Sequence, residues 1–295
     1  MLTIVANHYV RDLAASRFPR LAALDVGHFE QQLDRIAAGY SVVGLDDVMV
    51  CLNGGPPLPE QACLLTFDDG YRDHVDVVLP ALVRRGWRGA FFPSADAVAH
   101  RALLEVNAIQ FVIAANDDRA GLADDLCGLI EEHRDDATPS LETLREAWLT
   151  PGRWDDAETR FVKGVLQQGL PGVQRETIIA HLFACHVSDD ARAFADELYL
   201  DRSDITRMLD AGMAIGSHGA CHRRMTTLDD VALEADLTAS LALLKACGVG
   251  LDDGWHSVTR MAPSITAMRW IWMLRMCSIW SMRPALCNTS HALPR

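Results

Sequence analysis

Two adjacent carboxylates, Asp68 and Asp69, close the apolar run in "LLTFDDGYRDH", Leu64 to His74. Side by side at the end of a buried strand, they repel each other and lose hydration. A bound cation is the natural compensation. Far along the chain, "SHGACH" carries His218 and His222. Their i, i+4 spacing predicts two imidazoles on one side of a helical turn. Two imidazole nitrogens and one carboxylate leave a coordination position open for water, as a catalytic zinc centre requires. One aspartate of the pair can then ligate. Its neighbour can act as a general base on the water. A carbonyl bound to the same cation is polarised, and its tetrahedral oxyanion is stabilised. The natural outcome is hydrolysis of an amide or ester. The donor set suits Zn, Co, Ni or Fe alike.

Strands must deliver these residues. "LTIVA" reads as a first buried strand, and "GHFEQQLDRIAAGY" as a helix with Phe29, Leu33, Ile36 and Ala37 on one face. "YSVVGLDDVMVCL" reads as strand, turn and helix, "GGPPLPEQ" as a loop, and "ACLLTF" as a buried strand. "HVDVVLPALVRRG" predicts a helix with its stripe at Val75, Val78, Leu82 and Val83, ended by Gly86. "RGAFFPSA" predicts the next strand, closed by Pro93. This strand–helix rhythm implies parallel pairing and an α/β fold. From about residue 103 to 205 the pattern is helical and reads as an insertion. "MAIGS" then predicts a short strand, and "TLDDVALEADLTASLALLKACGV" a helix capped at Thr227 or Asp229, with core positions Leu237, Leu241 and Leu244.

The chain has 295 residues, 49% hydrophobic and 23% charged, enough for a sizeable core. A net charge of -13 argues against nucleic acid or an anionic membrane surface as the main partner. "MLTIVANHYVRD" lacks the pattern of an export signal, and eight scattered cysteines without a C-x-x-C pair read as buried hydrophobes. Both predict a cytoplasmic protein. The apolar run "MRWIWMLRMCSIW" is broken by Arg269 and Arg275 and is too short to span a bilayer. Nothing in the sequence fixes the number of subunits.

"TFDDGYRD", "FFPSA" and "IGSHGACH" resemble the polysaccharide deacetylases of the NodB-homology type, carbohydrate esterase family 4. That family's motifs are T-F-D-D-G and H-[S/T]-x-x-H. The resemblance covers roughly residues 1–253 and implies a distorted (β/α) barrel of about seven strands, with a body over 1–254. It implies zinc or another divalent metal, and removal of an N-acyl group, N-acetyl above all, from an amino sugar in a glycan or glycan precursor. By motif match it implies Asp68 as the catalytic base and Asp69, His218 and His222 as metal ligands. Gly219 departs from the Ser or Thr of the second motif, which removes a hydroxyl and no ligand. The opening "NHYVRD" is similar to a subgroup of surface-glycan enzymes, in which Asn7 would be Tyr and His8 would face the site.

Other residues read more plainly. Cys221 predicts a packed thiol, His74 a surface or supporting residue, and Arg72 and Asp73 a solvated turn, although an arginine there could steady the base. The acid pairs at 117–118, 124–125, 131–132 and 135–136 read as solvated faces. Beyond Asp253 there is no Asp or Glu, while four of the seven tryptophans and five of the ten methionines fall there. "RMAP", Arg260 to Pro263, only imitates the family's arginine motif, and His291 is a lone late histidine. A barrel closes only with all its strands, so 255–295 reads as a divergent tail, with a shifted frame over about 255–282. Three rival readings follow: a deformylase or cyclic-amide hydrolase on this scaffold, a catalytically impaired relic that binds glycan, and a His pair of purely structural use.

Overall fold

A computed structural model of the chain describes residues 1–223, 225 and 228–250. The fold is α/β with a parallel sheet. Strand β1 (Leu2–Asn7) leads to a short parallel pair, β2 (Val10–Arg11) with β3 (Leu24–Asp25). Helix α1 (Val26–Gly39) buries Phe29, Leu33 and Ile36, as the spacing predicts, and Asp25 caps it by accepting from the Gly27 N–H. Strand β4 (Ser41–Val42) and helix α2 (Leu45–Leu52) follow.

Strand β5 (Ala62–Asp69) is the axis of the sheet, and all eight of its residues are buried. Its unbroken apolar run suits a strand covered on both faces. It pairs in parallel with β1, with β4 and with β6 (Ala90–Pro93), and β6 pairs with β7 (Ala214–Ile215). Between β5 and β6, a π-helical turn at His74–Val78 runs into α3 (Leu79–Arg84), and Gly86 follows at φ +66°. Val83 is 52% exposed, so it leaves the predicted stripe, whose other members are buried. The π-turn shifts the phase of the helix relative to a regular 3.6-residue pattern.

The expected barrel of about seven strands is a five-stranded sheet plus the β2–β3 pair among the described residues. The predicted "MAIGS" strand shortens to two residues. Between β6 and β7 the chain is helical: α4 (Ala95–Ala99), α5 (Glu105–Ala115), α6 (Arg119–Glu132), α7 (Leu141–Trp148), α8 (Ala157–Gly164), α9 (Gly172–His186), α10 (Ala191–Leu198) and α11 (Arg202–Asp210). Their apolar faces close on one core that includes Phe111, Leu126, Ile130, Phe161, Ile178, Phe183 and Phe194. The four acid pairs sit exposed, as read. Helix α12 (Asp230–Ala246) is capped by Asp229 and buries Asp236, Ser240, Leu243 and Leu244. Of the predicted core positions Leu244 is buried and Leu237 partly buried, whereas Leu241 is 41% exposed and leaves the core face. No helix among the described residues is long and apolar enough to cross a membrane. The readings made for residues 255–295, including Arg260, Pro263 and His291, lie outside the described residues, as does Thr227.

Candidate metal centre

The site forms where parallel strands end. The β5–β6 register sets Asp68 opposite Phe92 and Asp69 opposite Pro93. The ladder continues past β7: Gly216 N–H donates to the Phe91 carbonyl at 2.7 Å and His218 N–H to the Pro93 carbonyl at 3.1 Å. That places His218 next to Asp69 across one intervening strand. After Asp69, Gly70 turns the chain at φ +80°, where a Cβ would come within 2.6 Å of the Pro93 Cβ. Only glycine fits there.

His218 and His222 do not lie on a helix. They sit on a loop, and two left-handed residues fold that loop back: Gly219 at φ +82° and His222 at φ +59°. The predicted convergence of the imidazoles is present, but it comes from loop conformation and not from a helical turn. The loop is pinned on both sides. Ala95 N–H and Asp96 N–H of α4 donate to the Gly219 and Ala220 carbonyls, each at 3.0 Å. Ala220 N–H donates to the buried Asp236 carboxylate of α12, at 3.0 and 2.5 Å.

Asp69, His218 and His222 come together, with their candidate ligand atoms all within 4.8 Å of one another. Asp69 Oδ1 lies 3.4 Å from His218 Nε2 and 3.3 Å from His222 Nε2. Two bonds of about 2.0–2.2 Å meeting at a tetrahedral angle span about 3.3–3.6 Å, so these two edges have the length a shared zinc-sized ion requires. Asp69 is 2% exposed, and its Oδ1 has no hydrogen-bond donor. Its Oδ2 accepts from the Tyr71 hydroxyl at 2.5 Å. A buried carboxylate oxygen aimed at two imidazole nitrogens without a donor is the signature of a cation site. The donor set fits a divalent metal.

The electrostatics agree. Burial raises the Asp69 pKa, but His222, His218 and His8 outweigh it and hold this carboxyl far below the usual range. Burial pulls His222 down, and Asp69 with Asp68 more than restores it, so its pKa is raised. Tyr71 is driven well above its ordinary pKa by burial and by Asp69, and so stays protonated. Asp69 itself sits at φ +73°. Left-handed backbone at a non-glycine residue costs about 1–3 kcal/mol and clusters at functional sites. Two of the three candidate donors carry it here.

Asp68 is 4% exposed at the same strand end, and its charge acts on His222. It therefore borders the cluster without being one of its three donors. His8 lies within electrostatic reach of Asp69. Its carbonyl meets His74 Nε2 at 2.9 Å. His74 is fully buried against Phe67, Tyr71 and Phe91, so the surface reading of this residue is overturned. Arg72 and Asp73 are no solvated turn either. Arg72 pairs with Asp204 at 3.0 Å, and Asp73 takes a two-pronged contact from Arg11 at 2.9 and 3.0 Å. Arg72 thus anchors α11. Cys221 is half-buried, and burial raises its pKa, which suits a packed thiol.

Sequence reading missed Tyr71 and Asp236. Tyr71 stood in the quoted stretch as an aromatic just past the turn, and only its partner was invisible. Asp236 lies within the amphipathic pattern of α12, and nothing local marks it as a buried acid.

No family model matches the chain. Over 90 residues it is 33% identical to the poly-beta-1,6-N-acetyl-D-glucosamine N-deacetylase of Escherichia coli K12, and equally to that of strain O157:H7. That match covers 30% of this chain and only 13% of the relative's length. Among solved structures, IcaB from Ammonifex degensii aligns with 83% of this chain and 71% of its own, at 17% identity and a TM-score of 0.42. The BpsB deacetylase domain from Bordetella bronchiseptica aligns with 84% and 76%, at 12% identity and a TM-score of 0.41. The chain resembles polysaccharide deacetylases.

Proposed function

We propose that the chain is a divalent-metal-dependent hydrolase that removes an N-acyl group, acetyl above all, from an amino sugar in a glycan or glycan precursor. One observation carries the reading: the buried Asp69 Oδ1, without a hydrogen-bond donor, lies 3.4 and 3.3 Å from two imidazole Nε2 atoms. The likeness to an N-acetylglucosamine polymer deacetylase over 90 residues supports the choice of substrate class.

Asp69, His218 and His222 would hold the ion. When bound, a divalent cation supplies Lewis acidity: it polarises an amide carbonyl and brings the pKa of a water towards roughly 7. The chain's own residues do the rest. Asp68, buried beside the three donors, takes the proton of the attacking water at its carboxylate. The two imidazoles must be neutral to donate their Nε2 lone pairs, so a proton on His222 opposes loading. Since Asp69 raises the pKa of His222, metal affinity falls as the pH drops through that raised value. Zinc heads the list of ions because two imidazoles and one carboxylate are a common zinc set. We place the protein in the cytoplasm.

The test uses the full chain, stripped with chelator and reloaded with zinc. Acetate release from an N-acetylglucosamine oligomer is then measured. We expect zinc-dependent release, and a loss of about 10²–10⁴-fold in Asp68→Asn, the range of a general base. Zinc uptake without release of any acyl group would favour the glycan-binding relic. Formate release in place of acetate would favour the deformylase. A chain that takes up no metal would leave the His pair structural.

A further inference from the structure

We propose that Tyr71 and Asn107 are positioning residues of the metal centre: hydrogen bonds directed from the helical segment decide which oxygen of Asp69 faces the imidazoles. The inference rests on the metal reading above. It concerns residues 36 positions apart that meet in one buried polar knot.

The proton count of that knot is fixed. Asn107 is fully buried on α5, and its Nδ2 donates to the Tyr71 hydroxyl at 2.7 Å and the Tyr9 hydroxyl at 2.8 Å. An amide nitrogen only donates, so neither tyrosine can return its proton to it. Tyr9 gives its proton to Gln110 Oε1 at 2.8 Å. Tyr71 gives its own to Asp69 Oδ2 at 2.5 Å. At the other end of the amide, Asn107 Oδ1 accepts from the Tyr199 hydroxyl at 2.5 Å. Tyr199 in turn accepts from the Leu104 backbone N–H at 3.1 Å.

A backbone N–H has no choice of role, so Leu104 sets the direction of the whole chain. If the Asn107 amide were reversed, its nitrogen would face Tyr199, and the Tyr199 proton would lose its acceptor. The Asn107 oxygen would then draw the Tyr71 proton away from Asp69. The ring of Tyr71 is also held in place. It stacks on Tyr9 with centroids 3.9 Å apart, and its backbone bridges to Tyr199.

The consequence falls on Asp69. Tyr71 occupies Oδ2 with a donated proton, and Oδ1 is left as the lone-pair face turned to His218 and His222. The helices between β6 and β7 are thus part of the centre's support as well as its cover. Partners of this kind fix ligand orientation and tune affinity.

The experiment titrates the metal-free full chain with zinc against a competing chelator, for wild type, Tyr71→Phe, Asn107→Leu and Tyr9→Phe. Thermal unfolding of each variant without metal records general damage. Tyr71→Phe is expected to weaken zinc binding by about 10–100-fold, the usual effect of losing an outer partner. Asn107→Leu should weaken it in the same direction and by less. Tyr9→Phe removes a hydroxyl from the same knot but none from Asp69, and should bind zinc close to wild type whatever its melting temperature. Equal zinc affinity in Tyr71→Phe and Tyr9→Phe, unchanged or weakened alike, would overturn the proposal. A wild-type chain that binds no zinc sinks the metal reading and this inference together. A wild-type chain that binds, with Tyr71→Phe binding equally, sinks this inference alone.

Discussion

The strand ends and the helices between β6 and β7 differ in how they use burial. At the strand ends, charged groups are buried and the backbone is bent: Asp69, Gly70, Gly219 and His222 all sit at positive φ. In the helical segment, burial is spent on aromatic and aliphatic packing. Phe111 meets Phe18 and Phe194 edge to face, and Phe183 meets Phe194 in the same way. Buried ions stabilise little on their own, whereas close-packed apolar volume stabilises a good deal. So one region carries the chemistry and the other the stability. One point where they exchange is the polar knot at Asn107, which reaches Asp69 through Tyr71.

The sharpest way to break this division is to damage each region and read both properties. Asp69→Asn should abolish measurable zinc uptake and cost less stability than a core truncation. Phe161→Ala, at a position 1% exposed in the helical core, should cost about 3–5 kcal/mol in urea unfolding. Zinc stoichiometry per folded chain should stay at the wild-type level. If Phe161→Ala loses zinc in proportion to stability, or Asp69→Asn unfolds the chain, the two regions are one energetic unit and the comparison fails.

What the sequence made legible follows the same divide. Strand β5 could be read from its apolar run, and the helices from their spacing, because both signals are local. Which residues would meet was legible only through motifs: Asp69, His218 and His222 do converge. How they meet was not. The i, i+4 spacing suggested a helical turn, but Gly219 and His222 bend the loop through left-handed backbone that no pattern of side chains announces. Val83 and Leu241 were misplaced because a π-turn in one case, and the packing of α12 through Asp236 and Ser240 in the other, rotates the buried face. Helix α7 carries the thinnest apolar signal of the segment, since only Leu144 of its eight residues is buried. The pairing of Tyr71 with Asn107 depends on tertiary packing and leaves no local trace.

A second test acts on pH. Burial lowers the pKa of His74 from its ordinary 6.5 to about 4, against the opposing pull of the His8 carbonyl and Asp69. The folded chain therefore holds His74 neutral where the unfolded chain is protonated. With a folded pKa below the unfolded one, its contribution is fully present above about pH 6.5 and is lost as the pH falls towards 4. A gap of this size corresponds to about 3 kcal/mol. Urea unfolding of the metal-free chain at pH 7 and pH 4.5 should show a drop that shrinks in His74→Phe. An unchanged drop in that variant would move the acid sensitivity away from the strand ends and weaken the contrast drawn between the regions.

The smallest effect separates strain from function within the site. Gly219 stands where the related motif carries Ser or Thr, and its φ of +82° disfavours any side chain. A Cβ there would lie 3.0 and 3.1 Å from the two oxygens of Asp236, the carboxylate that holds the Ala220 N–H. Gly219→Ala should therefore cost about 1–3 kcal/mol from backbone strain. The contact with Asp236 pushes further, because that side chain is buried and cannot swing into solvent without releasing Ala220. If the loop yields as a unit, His218 and His222 shift relative to Asp69, and zinc affinity falls together with stability. If only the backbone is strained, stability falls and zinc affinity holds. The first outcome ties the Gly219–Asp236 contact to the geometry of the imidazoles. The second confines that contact to holding α12 against the strand ends.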